Sequence, residues 1–292
     1  MHLERRQDDA VSSSATALPS SLLPSTAAAP SGSTSDPVSD APPTIPTIIS
    51  ADPPSAQNLP QPFDTSLGNN FTSPACPNFI RSFRDNSTFL SCLPLSLLLQ
   101  TSNSFFQVTK SLVRITQTLD ASCNVDFSVC SAMMAAYGRD IVQPDHCGPD
   151  YQNRHPMVLQ AYNGFVAYQS LYQAGCLRDS TGNYCFANAI TNTTSNTDSY
   201  PYYLPLGVGL PGGSRPTCNS CLRDTMAIFN TAAANRTQPV SQTYSDASQQ
   251  INMGCGPEFA NTTVANGAPA LGTGGGLAPL VAVLVALYML FL

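Results

Sequence analysis

Cys218-Asn-Ser-Cys221 is the sharpest chemical motif in the chain. A C-x-x-C pair that opens a helix can carry thiol–disulfide exchange, because the helix dipole lowers the pKa of a thiol at that end. Such a site expects a surrounding βαβ pattern, which the sequence lacks, and eight further cysteines favour a structural framework instead. His146 adjoins Cys147 and His155 follows nine positions on. No second C-x-x-C stands at zinc-finger spacing, so no metal, haem or other cofactor is expected. Asp140, Asp145 and Asp150 could supply paired carboxylates for glycoside cleavage, although beside Pro and Gly they read as solvated loop acids. No G-x-S-x-G nucleophile elbow occurs. With Trp absent, a ligand surface would rest on Tyr200, Tyr202 and Tyr203.

The remaining cysteines set the compartment. Ten in all (Cys76, Cys92, Cys123, Cys130, Cys147, Cys176, Cys185, Cys218, Cys221 and Cys255) form an even set that suits an oxidising environment. Order alone leaves their connectivity open. The gaps between Cys92, Cys123 and Cys130 resemble those between Cys147, Cys176 and Cys185, which hints at duplicated helical units. Five N-glycosylation sequons begin at Asn70, Asn86, Asn192, Asn235 and Asn261. Only 10% of residues are charged, against about 25% in an average globular protein, so glycans rather than charge are expected to keep the surface soluble. The net charge of -6 leaves no basic stripe, which excludes a nucleic-acid partner.

The two ends differ in kind from the middle. Residues 1–62 hold eleven of the 25 prolines, with much Ser, Thr and Ala and no periodicity, and are expected to form a disordered arm. At the other end, 277–292 (LAPLVAVLVALYMLFL) is apolar and uncharged. It is short for a bilayer span, which needs about 20 apolar residues, and neither a tail-anchored helix nor a buried terminal helix suits the long uncharged stretch before it. Small residues Asn266, Gly267 and Ala268, a Gly-rich spacer in 259–276 and the apolar run instead follow the order of a glycosylphosphatidylinositol (GPI) attachment signal. Asn266 is the first-choice attachment residue, with Gly267 and Ala268 as alternatives. The opening MHLERRQDDAVSSS carries no apolar h-region, so this reading expects a hydrophobic leader further upstream.

Between the ends, 63–258 should form one mainly α, disulfide-rich domain of about five to seven helices. Phe105, Val108, Leu112, Ile115 and Leu119 step by three or four along one helix, capped by Ser102 or Asn103. A second follows Asp126 with Val129, Cys130, Met133, Tyr137 and Ile141 on one side. A third runs from Pro156 to near Gly175, a fourth from Cys218 to about Ala234, and a fifth from Pro239 until Gly254 stops it. The prolines and glycines of 199–216 predict a long ordered loop rather than a helix.

Several stretches carry a resemblance: Phe63-Asp-Thr-Ser-Leu-Gly-Asn-Asn-Phe through Cys92-Leu-Pro-Leu-Ser, Leu119-Asp-Ala-Ser-Cys-Asn-Val-Asp-Phe, Tyr200-Pro-Tyr-Tyr-Leu-Pro-Leu-Gly and Cys218-Asn-Ser-Cys-Leu. Together they resemble a family of cysteine-rich, GPI-anchored surface proteins of filamentous fungi, classed as a domain of unknown function. The resemblance covers roughly 63–258, implies cell-surface placement and an ascomycete source, and brings no catalytic residues. The expected function is a non-enzymatic, glycosylated surface or cell-wall protein with a structural, adhesive or ligand-capture role. Its expected partners are the membrane, through the lipid anchor, and cell-wall glucan. The rival is a surface enzyme, either a hydrolase or a thiol–disulfide exchanger using Cys218 and Cys221.

Overall fold

The computed structural model describes residues 59–264. The arm as far as residue 58, the candidate attachment residues Asn266, Gly267 and Ala268, and the apolar segment 277–292 lie outside the described residues. Twelve α-helices and a 3-10 helix form the described part, and no β-strand occurs there. This bears out a mainly α domain. The helices exceed five to seven because several are too short to show a period in sequence.

The chain opens with α1 (Ala75–Arg84), α2 (Ser87–Cys92), α3 (Leu95–Thr101) and α4 (Asn103–Val108). Next come α5 (Leu112–Cys123), α6 (Phe127–Asp140) and the short α7 (Gly148–Gln152). α8 (Pro156–Val166), α9 (Tyr168–Gly175) and α10 (Cys185–Thr191) precede a 3-10 helix at Tyr200–Leu206, and α11 (Ser220–Ala233) and α12 (Val240–Cys255) close the domain.

Local chemistry explains where the expected helices broke. The single helix through Phe105 and Leu119 is two: α4 starts under Ser102, whose Oγ accepts from the Phe105 amide, and α5 starts afresh under Ser111. The restart turns Leu112 outward, to 53% exposure, while Phe105, Val108, Ile115 and Leu119 stay buried. The helix expected from Pro156 to Gly175 bends at Ala167 into α8 and α9. Asp126 caps α6 as its position implied, yet Val129 is exposed and Met134, rather than Met133, is fully buried. Gly254 lies inside α12, which ends instead at Gly256, where φ is +100°. The expected loop after Ser199 contains a 3-10 helix. Proline's fixed φ suits that conformation, and the burial of Tyr202, Leu204 and Leu206 holds it against the core.

Two apolar clusters fill the domain. One gathers Phe83, Phe89, Met134, Val158 and Phe165; the other gathers Phe105, Phe186, Phe229, Tyr244 and Ile251. α3 belongs to both, sending Leu97 into the first and Leu95 and Leu98 into the second. The bend at Ala167 does the same for α8 and α9: Phe165 and Tyr168 join the first cluster, Leu171 and Ala174 the second. Packing also continues past both expected edges, since Leu59 packs on the second cluster and Ala260 is buried in it.

All ten cysteines are paired, as Cys76–Cys147, Cys92–Cys130, Cys123–Cys176, Cys185–Cys221 and Cys218–Cys255. The first two staple the Phe83 cluster, the third joins the end of α5 to the end of α9, and the last two fix α10 and the end of α12 to the start of α11. The pairing does not repeat along the chain: Cys92 pairs with Cys130, whereas Cys147 and Cys185 take unrelated partners. This removes the support for duplicated units.

Candidate functional site

The C-x-x-C motif sits at the start of α11, where Asn219 caps the helix by accepting from the Leu222 amide. Its two sulfurs are not bonded to each other. Cys218 reaches Cys255, 37 residues on, and Cys221 reaches back to Cys185. The thiol-exchange reading of Cys218 and Cys221 therefore loses the dithiol it required, because both sulfurs serve as staples.

The histidines and aspartates are also dispersed. His146 stacks on Phe79 with ring centroids 4.3 Å apart, and His155 stacks on Phe71 at 4.6 Å. Asp140 and Asp145 are exposed, whereas Asp150 is buried and its Oδ1 accepts from the Thr72 amide at 2.7 Å. Three acids close in sequence thus face different surroundings. Both ring nitrogens of His155 are buried without a hydrogen-bond partner.

Of the three tyrosines expected at a ligand surface, Tyr202 is a core residue. Its ring packs edge-on against Phe186 at 4.8 Å, and its hydroxyl accepts from Thr225. Burial, aided by the charge of Asp198, pushes its pKa up to about 12. Tyr203 and Tyr200 are half-buried beside it. Their sequence signal was aromatic clustering, which core packing produces as readily as ligand binding.

Tyr202 nevertheless edges a cavity of about 240 Å³ shared by α10, α11 and the segment before α11. Asp179 and Asp198 stand in its wall, and both carboxylates are already committed. Asp179 accepts from Thr181, Asn183 and Asn188, bonds that hold its pKa below the usual carboxylate value. Asp198 accepts from Asn192 Nδ2 at 2.7 Å, Ser195 Oγ at 2.8 Å and the Thr217 amide at 2.7 Å, which clasps the 192–198 loop to the segment before α11. The cavity offers shape and amide groups rather than a free acid or base.

A second clasp lies at the amino-terminal edge. Asp64 accepts from the amides of Asn103 and Ser104 and from the hydroxyls of Ser102 and Ser104, which fastens the 63–66 segment over the start of α4. Burial raises the Asp64 pKa, and these hydrogen bonds outweigh it, so the net direction is down. Neither clasp was visible in sequence, since nothing local marks an aspartate that also accepts from a residue 19 positions away, as Asp198 does from Thr217, or 39 away, as Asp64 does from Asn103.

The five sequons divide by geometry. Asn70, Asn235 and Asn261 are exposed. Asn86 and Asn192 are half-buried, and their Nδ2 atoms donate to Tyr137 Oη at 3.3 Å and to Asp198. At Asn86, Asn192, Asn235 and Asn261 the Oδ1 accepts from the amide two residues on, the Asx-turn arrangement.

With this geometry in place, the model of a domain of unknown function, DUF7729, matches residues 58–264. The chain belongs to the DUF7729 family. No curated protein and no solved structure matches it. The DUF7729 match covers the described helical domain and all five disulfides, and it extends beyond the expected 63–258. Five disulfides place such a domain among extracellular proteins, and no described helix is long and apolar enough to cross a membrane.

Proposed function

We propose that this DUF7729 protein is a non-enzymatic, glycosylated protein of the fungal cell surface, held by a GPI anchor, whose helical domain serves a structural, adhesive or ligand-capture role. The observation that carries the reading is the use of all ten cysteines as staples. The sulfurs serve as disulfides and Asp64, Asp179 and Asp198 are held in hydrogen-bonded networks, while the sequons at Asn70, Asn235 and Asn261 are exposed. The sequence around Asn266, its Gly-rich spacer and the apolar run supply the anchor. Cell-wall glucan is the second attachment this placement offers.

Activity and thiol assays on the full chain test the reading. The expected outcome is no thiol–disulfide exchange and no glycoside hydrolysis, with all ten cysteines refractory to labelling before reduction. Turnover abolished by replacing Cys218, Cys221 or Asp150, in a variant whose fold is intact, would replace it with the surface-enzyme alternative.

A further inference from the structure

A groove opens where α6 and the α8–α9 bend face the turn joining α11 to α12. Its wider part has a volume of about 620 Å³, within the roughly 300–1,000 Å³ of small-molecule sites. A narrower part of about 200 Å³ adjoins it, because Val166, Gln169, Asn235 and Gln238 line both. The two form one continuous feature on the side of the domain.

Its chemistry is distinctive. Gln143, Gln169, Asn235 and Gln238 present carboxamides, each with donors and an acceptor. Tyr162, which is half-buried, adds ring surface, while Phe165 and Tyr168 are core residues beneath the wall. Among the described residues lining either part, Arg139 alone is charged.

Ligand classes can be sorted by what this wall would do to them. A metal cation would find no carboxylate and would be repelled by Arg139. An anion would gain one charged partner and face several amide oxygens. A wholly apolar ligand would strip water from the amides and leave them unpaired. A neutral polyhydroxyl ring, which donates and accepts around its rim and offers a C–H face to the Tyr162 ring, suits both the carboxamides and the one accessible aromatic of the wall. The geometry points to a binding site for neutral saccharide in this groove.

One source of that saccharide is built into the chain. Asn235 lines both parts of the groove and is the acceptor of the Asn235-Arg236-Thr237 sequon. It is exposed, and its Oδ1 accepts from the Thr237 amide at 3.0 Å and hydroxyl at 2.8 Å. A glycan attached there starts inside the groove. A free neutral oligosaccharide of the cell wall has the same chemistry. The inference deepens the surface-protein reading and rests on it for the sugar's origin, not for the groove's selectivity.

The test uses the full chain purified from an N-glycosylating host, as wild type, Asn235→Gln and Gln169→Leu. Hydrogen exchange is followed across 139–143, 166–173 and 235–238, and laminarihexaose, chitohexaose and mannohexaose are titrated by calorimetry. If the tethered glycan fills the site, protection in the three segments drops in Asn235→Gln, and a hexasaccharide binds that variant but not wild type. If the site takes free saccharide, a hexasaccharide binds both, and Gln169→Leu, with an unchanged melting curve, weakens it by about tenfold. The inference is overturned if no hexasaccharide binds Asn235→Gln and the three segments exchange alike in both proteins. A chain that stays inside the host without glycans defeats the surface reading alone, since the same titration on that material still decides the groove.

Discussion

Gly164 of α8 lies directly against Leu97 of α3, where a Cβ on the glycine would stand 3.1 Å from the Ser96 carbonyl oxygen and closer still to the Leu97 side chain. Gly175 repeats the contact one helix on, 2.5 Å from Leu95 Cδ2 by the same measure. These glycines let α3 sit at the seam between the two apolar clusters. Because the Ser96 oxygen is backbone and cannot step aside, Gly164→Ala should destabilise the fold by about 1–3 kcal/mol through overpacking. Gly209→Ala, with nothing within 4 Å, should melt within about 0.5 kcal/mol of wild type. Thermal denaturation of the two variants makes the comparison.

The helical class was readable because α6, α11 and α12 are long enough to show their period and begin at residues that announce a start, Asp126, Asn219 and Pro239. The seam at α3 was not readable. The seven residues after Pro94 give too few turns for a period, and a helix buried on two sides carries no polar face to mark its phase. The breaks at Ser111 and Ala167 escaped for the opposite reason, since apolar spacing continued across them while the chain turned. At the candidate sites, residue type was legible and commitment was not. Cys218 and Cys221 looked like a pair because they are near in sequence, yet their partners are 37 and 36 residues away.

Each disulfide closes a loop of tens of residues, so each should matter individually. The Cys92–Cys130 staple spans 38 residues. Replacing both with Ala should lower stability by about 2–5 kcal/mol, largely by freeing the unfolded chain. Urea denaturation read by circular dichroism checks the figure, and an unchanged midpoint would show that this staple is dispensable.

High pH should unfold the protein through its buried tyrosines. The Tyr202 pKa rises from 10.0 to about 12 on folding, so below pH 10 both states carry the proton and stability is unaffected. Between pH 10 and 12 the unfolded state ionises first and stability falls as pH rises. Tyr202→Phe should flatten that decline in a pH-dependent melting series, and an equally steep decline in the variant would assign it elsewhere.

Glycan occupancy should follow the geometry of the sequons. Peptide mapping of protein from a glycosylating host should find sugar on Asn70, Asn235 and Asn261, which are exposed. Asn86 and Asn192 should be unmodified, because their Nδ2 atoms are turned inward to Tyr137 and Asp198. Asn192→Ala should additionally cost about 1–3 kcal/mol by leaving one Asp198 oxygen short of a partner. Full occupancy at Asn192 in a stably folded protein would contradict this assignment.

Release from intact cells tests the central claim most directly. Cells expressing the full gene are treated with phosphatidylinositol-specific phospholipase, with glucanase in parallel to free wall-linked protein, beside a variant in which Asn266, Gly267 and Ala268 are replaced by bulky residues. The account predicts that one or both enzymes release a glycosylated, fully disulfide-bonded protein lacking 277–292, and that the variant is not displayed. Protein found inside the cell with free thiols and an intact carboxyl-terminal segment, untouched by either enzyme, would contradict it.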